Sequence, residues 1–300
     1  EWCLVNHDKN ILSQLDYKIC DSKVFHDEIK KIKHEICEKI FISIIKDFRK
    51  NLNSLHQTDY SLKSWDIIGG EWLRRFIQMC FDKFELLKKA CRDYDINEIF
   101  AVNFDSCKFY TKDTLGLYYA SIDDEWNHAL FSQILKFFNL NEKISHSETS
   151  EKFLNNSIAC FNTYKSENYE STKVKIMKLI MKISRKFKSE NDGLIFESYL
   201  PFFYEKKLEL SLGQFPQFWE TENIEFKTYN KSLREKIHFN YENYDDIEKF
   251  IRYILPTSIP ICLIESFTDI LHKSNNSGFP KNPKFIFTSN AYDFDEIFKL

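Results

Sequence analysis

The reading of residues 282–300, NPKFIFTSNAYDFDEIFKL, decides the fold. Lys284-Phe-Ile-Phe-Thr-Ser-Asn290 begins short, apolar and β-prone, and predicts a buried strand that ends in a polar loop. Asp293 is placed to open a helix after it. Strand, loop and helix in that order begin an α/β nucleotide-binding layer, in which ligands collect at the carboxyl ends of the strands. Thr288, Ser289 and Asn290 fall at that end and are candidates for contact with a phosphate or nucleotide. Just before them, Gly278-Phe-Pro-Lys-Asn-Pro283 is the clearest linker signal in the chain. It separates an N-terminal α/β domain with long helices, residues 1–277, from the first strand and helix of a second domain, residues 278–300.

Upstream of the linker, helix dominates. The chain has six glycines and six prolines in 300 residues, well under the usual shares of about 7% and 5%. Between residues 26 and 56, Ile29, Ile32, Ile36, Ile40, Ile44 and Phe48 recur at helical spacing. After the polar Gln57-Thr-Asp-Tyr60, Ser61 precedes a second apolar-periodic stretch from Trp65 to Ala90, interrupted by Gly69-Gly70; the two predict an antiparallel helix pair. Glu98–Asn103 predicts a buried strand. Ser121 or Asp123 caps a helix whose inner face is Trp126, Ala129, Leu130, Gln133, Ile134 and Phe137. Residues 141–171 read as a long polar connection. Ser171–Ser189 carries seven basic side chains around apolar positions, which suits either a solvated helix face or peripheral contact with an anionic membrane. Gly213 and Pro216 mark a helix stop and a turn. Further helices are expected over 245–255, ended by Pro256, and over 258–272.

An apolar content of 43% is enough for a sizeable core, and a formal charge of −3 implies no general attraction to nucleic acid. No run spans a bilayer, and the first residues, EWCLVNHDKN, lack the basic and apolar regions of a signal peptide. A soluble, cytoplasmic protein is expected. Eight scattered cysteines without a Cys-x-x-Cys pair predict reduced thiols, with neither a metal centre nor a disulfide framework. P-loop, GxGxxG, GxSxG and HExxH motifs are absent.

Two polar clusters stand out. SIDDEWNHALF, residues 121–131, brings together Asp123, Asp124, Glu125, Trp126, Asn127 and His128. Acids in a first helical turn complement the free N–H groups, worth about 0.3–1 kcal/mol each. That account covers the acids, and a histidine one turn later need only bond to them. The catalytic reading sets His128 one turn from Asp124, so that the carboxylate orients the imidazole and raises its basicity, while a carboxylate alone serves as base or nucleophile. In the second cluster, Gly69 and Gly70 predict a kink or a close approach, with Trp72 and Arg75 beside it. The arginine suits a phosphate or sugar carboxylate and the tryptophan a sugar face; the alternative is a helix-packing glycine pair with surface arginines.

Four patches, Glu1-Trp-Cys-Leu4, Ser61–Trp65 continuing through Ile68–Leu73 to Phe81-Asp82, Asp123–His128 and Asn282–Ala291, resemble a family of transferases encoded in bacterial O-antigen and other surface-glycan clusters. Leu210–Trp219 is a fifth, less specific one. That family is itself similar to two-Rossmann-domain (GT-B) glycosyltransferases. One departure is Gly70, where the family pattern has proline. The resemblance implies a Rossmann-like N-terminal domain followed by the start of a second, in a chain truncated at both ends. It implies transfer of a sugar from a nucleotide-activated donor, a CMP-activated ulosonic acid being one candidate, to a surface-polysaccharide, glycan or lipid-linked acceptor, with no other cofactor. Asp123, Asp124, Glu125 and His128 would be catalytic. Glu1, Trp2, Gly69, Gly70, Trp72, Arg75, Trp126, Asn127, Thr288, Ser289 and Asn290 would bind substrate. The competing expectations are a non-catalytic helical interaction module, or an inactive fragment of such a transferase, and a hydrolase using the same carboxylate–histidine group.

Overall fold

With neither glycine nor proline between residues 22 and 56, the apolar stripe forms one long helix, α1 (Ser22–His56), in the computed structural model. The structure describes residues 22–102, 109–140, 144–147, 183–184 and 186–300. Ile40, Ile44, Phe48 and Leu52 are buried, whereas Ile32 remains 55% exposed, so the stripe packs only from Ile36 onward. The chain turns at Gln57 in a left-handed conformation, φ 54°. It then returns as α2 (Leu62–Trp65), a π turn (Asp66–Gly70) and α3 (Glu71–Asp93) in direct succession. Ser61 caps α2 by accepting the Ser64 N–H.

The expected interruption at Gly69-Gly70 is thus a widened turn within a continuous helix. A Cβ on Gly69 would lie 3.0 Å from both Phe48 and Leu263, so glycine there lets two elements meet. A Cβ on Gly70 would lie 2.2 Å from Asp66 Oδ1, the atom that accepts from Arg74 Nη1 at 2.7 Å. Both glycines have packing reasons.

Trp72, Leu73, Phe76, Ile77, Cys80 and Phe84 turn inward from α3. They meet α1, α4 (Thr114–Ile122) and α5 (Asp124–Phe137), and Phe84 lies 5.6 Å from Phe250 on a later helix. Each such side chain contributes about 1.5–3 kcal/mol when fully buried. The inner face expected for α5 is the one observed, with Phe137 at its margin.

Two short parallel sheets accompany the helices. β1 (Ile99–Val102) pairs with β2 (Ile144–Ser147), which lies inside the stretch expected to be a connection. β3 (Leu194–Ile195) pairs with β4 (Ile286–Phe287). The result is a helix-rich α/β chain. β4 corrects one expectation: Ile286 and Phe287 are 48% and 43% exposed. Among the described residues only β3 flanks it, and the burial falls to Leu194, Ile195 and Phe196, the first and last of these in a cluster with Ala291, Trp219, Phe279 and Phe298.

α6 (Phe202–Ser211) is followed by Gly213 at φ +72°, the left-handed position glycine favours after a helix end. α7 (Lys231–Arg234) precedes α8 (Asp246–Ser258), which carries Pro256 in its last turn instead of stopping there. The helix expected over 258–272 divides into a 3₁₀ turn, Ile261–Leu263, and α9 (Phe267–Asn275). α10 (Ala291–Phe294) and α11 (Glu296–Lys299) follow β4.

Several charged clusters are buried among the described residues, two of which bear on stability. Arg234 and Glu265, each 2% exposed at the side chain, form a paired fork. Near α11, Glu296 accepts from the Thr114 N–H and from Lys299, which also donates to Thr114. Burial, and after it the Glu296 carboxylate, push the neighbouring Asp113 carboxyl up to about 6. Glu1, Trp2 and most of the basic stretch at 171–189 lie outside the described residues.

Candidate functional site

The face of α3 opposite its core side carries Arg75, Gln78 and Asp82 at helical spacing, and Lys83 stands at its margin toward the core. This stripe forms one wall of a cleft of about 350 Å³, whose other walls include Lys33 of α1 and Leu117, Tyr118 and Ser121 of α4. Arg75 Nε donates to Glu71 at 2.6 Å, and Arg75 Nη2 lies 3.6 Å from Asp293 of α10. Arg75 therefore borders the cleft and also engages the helix that follows the strand-end loop. α10 packs directly on α4 as well. At the far end of the stripe, about 12 Å along the helix at 1.5 Å per residue, Lys83 is close enough to Asp124 to feel its charge. Burial lowers the Lys83 pKa, against the pull of Asp82, Cys80 and Asp124.

The acidic cluster is organised as a helix start. Asp123 Oδ1 accepts the Trp126 N–H at 2.7 Å, and Asn127 Nδ2 donates to the Ser121 carbonyl at 3.0 Å. Burial, then the charge of Asp123, raises the Glu125 pKa. Glu125 Oε2 and Asn127 Oδ1 are shielded from solvent with no hydrogen-bond donor among the described residues. The Asp124–His128 contact expected from their spacing is not made. A first-turn carboxylate is drawn to free amides and here also to the Lys83 field. Burial pushes the half-buried His128 imidazole below its usual range, opposite to what an aspartate partner would do.

At the strand end, the Ser289 N–H donates to the Glu197 carbonyl at 3.0 Å, and Thr288 Oγ1 accepts the Ala291 N–H at 3.2 Å. Asn290 Nδ2 donates to Tyr199 Oη, and its Oδ1 is shielded without a partner among the described residues. Buried polar atoms left unpaired are uncommon and call for an explanation, a ligand being one.

Trp72 and Trp126 present no face to a ligand. Trp72 is fully buried and stacked on Phe76 at 4.9 Å; Trp126 is 1% exposed and stacked on Phe109 at 4.5 Å. Gly69 and Gly70 are buried by packing. Of the sequence candidates, the structure brings Arg75 and the Thr288–Asn290 loop into one neighbourhood through Asp293, and sets Asp124 near the opposite end of the same cleft. Sequence reasoning passed over Gln78, Lys83 and Tyr118. The signal for Gln78 was the polar stripe of α3; Lys83 and Tyr118 gave none. Among the described residues, no group of three His, Cys, Asp or Glu side chains could hold a metal ion, and no helix is long and apolar enough to cross a membrane.

A helix-rich α/β frame with a polar cleft beside a parallel-strand end has the layout in which small-molecule sites of α/β proteins occur. The family comparison is more specific. Over residues 1–300 the chain matches the LIC12162 family transferase profile and belongs to that family, which makes it a transferase by family. No curated protein and no solved structure matches it.

Proposed function

We propose that this transferase moves a sugar from a nucleotide-activated donor, a CMP-activated ulosonic acid being one candidate, to a surface-polysaccharide or glycoconjugate acceptor. The observation that carries the proposal is the position of Arg75. It lines the cleft that ends near Asp124, and it reaches Asp293 in the helix after Thr288–Asn290. The donor nucleotide is assigned to Thr288, Ser289 and Asn290, whose side chains sit where open parallel sheets bind ligands. The reacting sugar and the acceptor hydroxyl are assigned to the cleft.

In the reaction, a base takes the proton of the acceptor hydroxyl as its oxygen bonds to the anomeric carbon. The bond from that carbon to the phosphate oxygen breaks, and the oxygen leaves with the electron pair. A lowered imidazole pKa keeps His128 neutral and able to accept a proton at pH 7, and a raised Glu125 pKa makes its carboxylate a stronger base than an ordinary one. Arg75 supplies positive charge to the departing phosphate. A donor screen comparing wild type with Asp124→Asn, Glu125→Gln and His128→Ala tests this. The variant that removes the base should lose about 10²–10⁴ in kcat. Wild-type transfer by all three would remove the cluster from the chemistry, and turnover without any nucleotide donor would make the enzyme a hydrolase.

A further inference from the structure

Three cations line the cleft, and the chain neutralises two of them. Lys33 Nζ lies 2.6 Å from Asp82 Oδ1, and Arg75 is held by Glu71 and Asp293. Lys83 is different. Among the described residues no oxygen lies within hydrogen-bond or ion-pair distance of its Nζ, and the group it faces is the Phe131 ring, 5.2 Å from Nζ to the centroid. The side chain is half-buried, so its ammonium has lost part of its water without gaining an acceptor, which costs free energy. An anion entering the cleft would remove that cost. The walls beside it add the Gln78 amide and the Tyr118 and Ser121 hydroxyls. These are donors and acceptors of the kind that sugar hydroxyls and phosphate or carboxylate oxygens use. The cleft volume of about 350 Å³ falls in the range of small-molecule sites, roughly 300–1,000 Å³.

We propose that Lys83 is the charge partner of a compact oxyanion, a carboxylate or phosphate carried on the sugar that occupies this cleft. The word sugar rests on the glycosyl-transfer reading; the charge does not. A bound anion would favour the protonated lysine and reverse the present downward shift of its pKa.

Calorimetric titration of the full chain with glucuronate, glucose 1-phosphate and glucose at low salt tests the proposal. Both anions should bind, and glucose about tenfold or more weaker, the share expected of one charge-assisted hydrogen bond. Lys83→Met should weaken both anions by the same factor at an unchanged melting temperature, while Lys83→Arg retains them. A readout that needs no variant is the ¹³Cε titration of Lys83, whose pKa should rise when glucuronate is added. Three results would each overturn the proposal: glucose binding as tightly as the anions, Lys83→Met binding them like wild type, or no binding of either anion at millimolar concentration. Anion binding by a chain inert toward every nucleotide-sugar would retain Lys83 and reject glycosyl transfer. Transfer whose KM values ignore Lys83→Met would do the reverse.

Discussion

Arg234 and Lys83 are both cations drawn out of water, and the chain treats them in opposite ways. Arg234 Nε and Nη2 donate to Glu265 at 2.7 and 2.8 Å, its Nη1 donates to the Ile259 carbonyl at 2.8 Å, and the guanidinium lies 4.6 Å from the Tyr229 ring centroid. Every strong acceptor that group needs is internal. Among the described residues Lys83 has no acceptor within hydrogen-bond distance, although carboxylates stand in its vicinity. A charge whose partners are all supplied by the fold holds loops together. A charge left open along a cleft has its use outside the chain. The difference lies in the accounting of hydrogen bonds rather than in burial alone.

The largest test of that contrast is Arg234→Leu. Removing one member of a buried pair leaves Glu265 charged and unpartnered, and should cost about 3–5 kcal/mol in urea unfolding. A loss well below that would mean that Glu265 finds water, and the closed network would not be closed. Asp113→Asn comes next. A carboxyl raised to about 6 keeps its proton in the folded chain at pH values where the unfolded chain has released it. Stability should therefore fall as pH climbs from about 4 to about 6 and stay lower above that window. Asparagine can still cap the Gly116 N–H, so the variant should flatten this slope and gain on the order of 1 kcal/mol at pH 7. Urea midpoints at both ends of the window measure it. The smallest effect is expected from Lys83→Met. Burial disfavours the charged lysine in the folded chain, so at pH 7 the variant should match or slightly exceed wild type, within about 0.5 kcal/mol. That small advantage should fade as pH rises and the lysine loses its proton. A clear destabilisation, seen as a drop in Tm, would reveal an internal partner and erase the contrast with Arg234.

Periodicity made the long helices legible: the Ile40, Ile44 and Phe48 stripe, the inner face of α5, and Asp123 as its cap could all be placed from spacing. The strand at Ile286-Phe287 was legible as a strand but not in its exposure, because burial depends on which strands lie beside it. The β1–β2 pairing joins residues more than forty positions apart, which no local pattern reports. The candidate site was legible in part. Arg75 and Thr288–Asn290 were picked out by type and position, and Asp293 shows their proximity. Trp72 was misread as a ligand platform because an indole on an amphipathic helix looks the same in sequence whether it faces the core or a cleft. Lys83 escaped because its distinction is the lack of an acceptor among the described residues, a property of three packed helices rather than of any one segment.

The π turn at Asp66–Gly70 gives the polar stripe its aim. A π turn accommodates one more residue than the α-helical turn it replaces, and each α-helical residue advances the chain by about 100°. Closed to an α-helical turn at the same residue count, this stretch would turn the whole of α3 by roughly that angle about its axis, carrying Arg75 and Lys83 away from α4 and forcing Trp72 toward solvent. The orientation of this wall of the cleft thus depends on the π turn taking up one extra residue, and a one-codon deletion there, which lets the turn close as an α-helical one, should leave the wall in place.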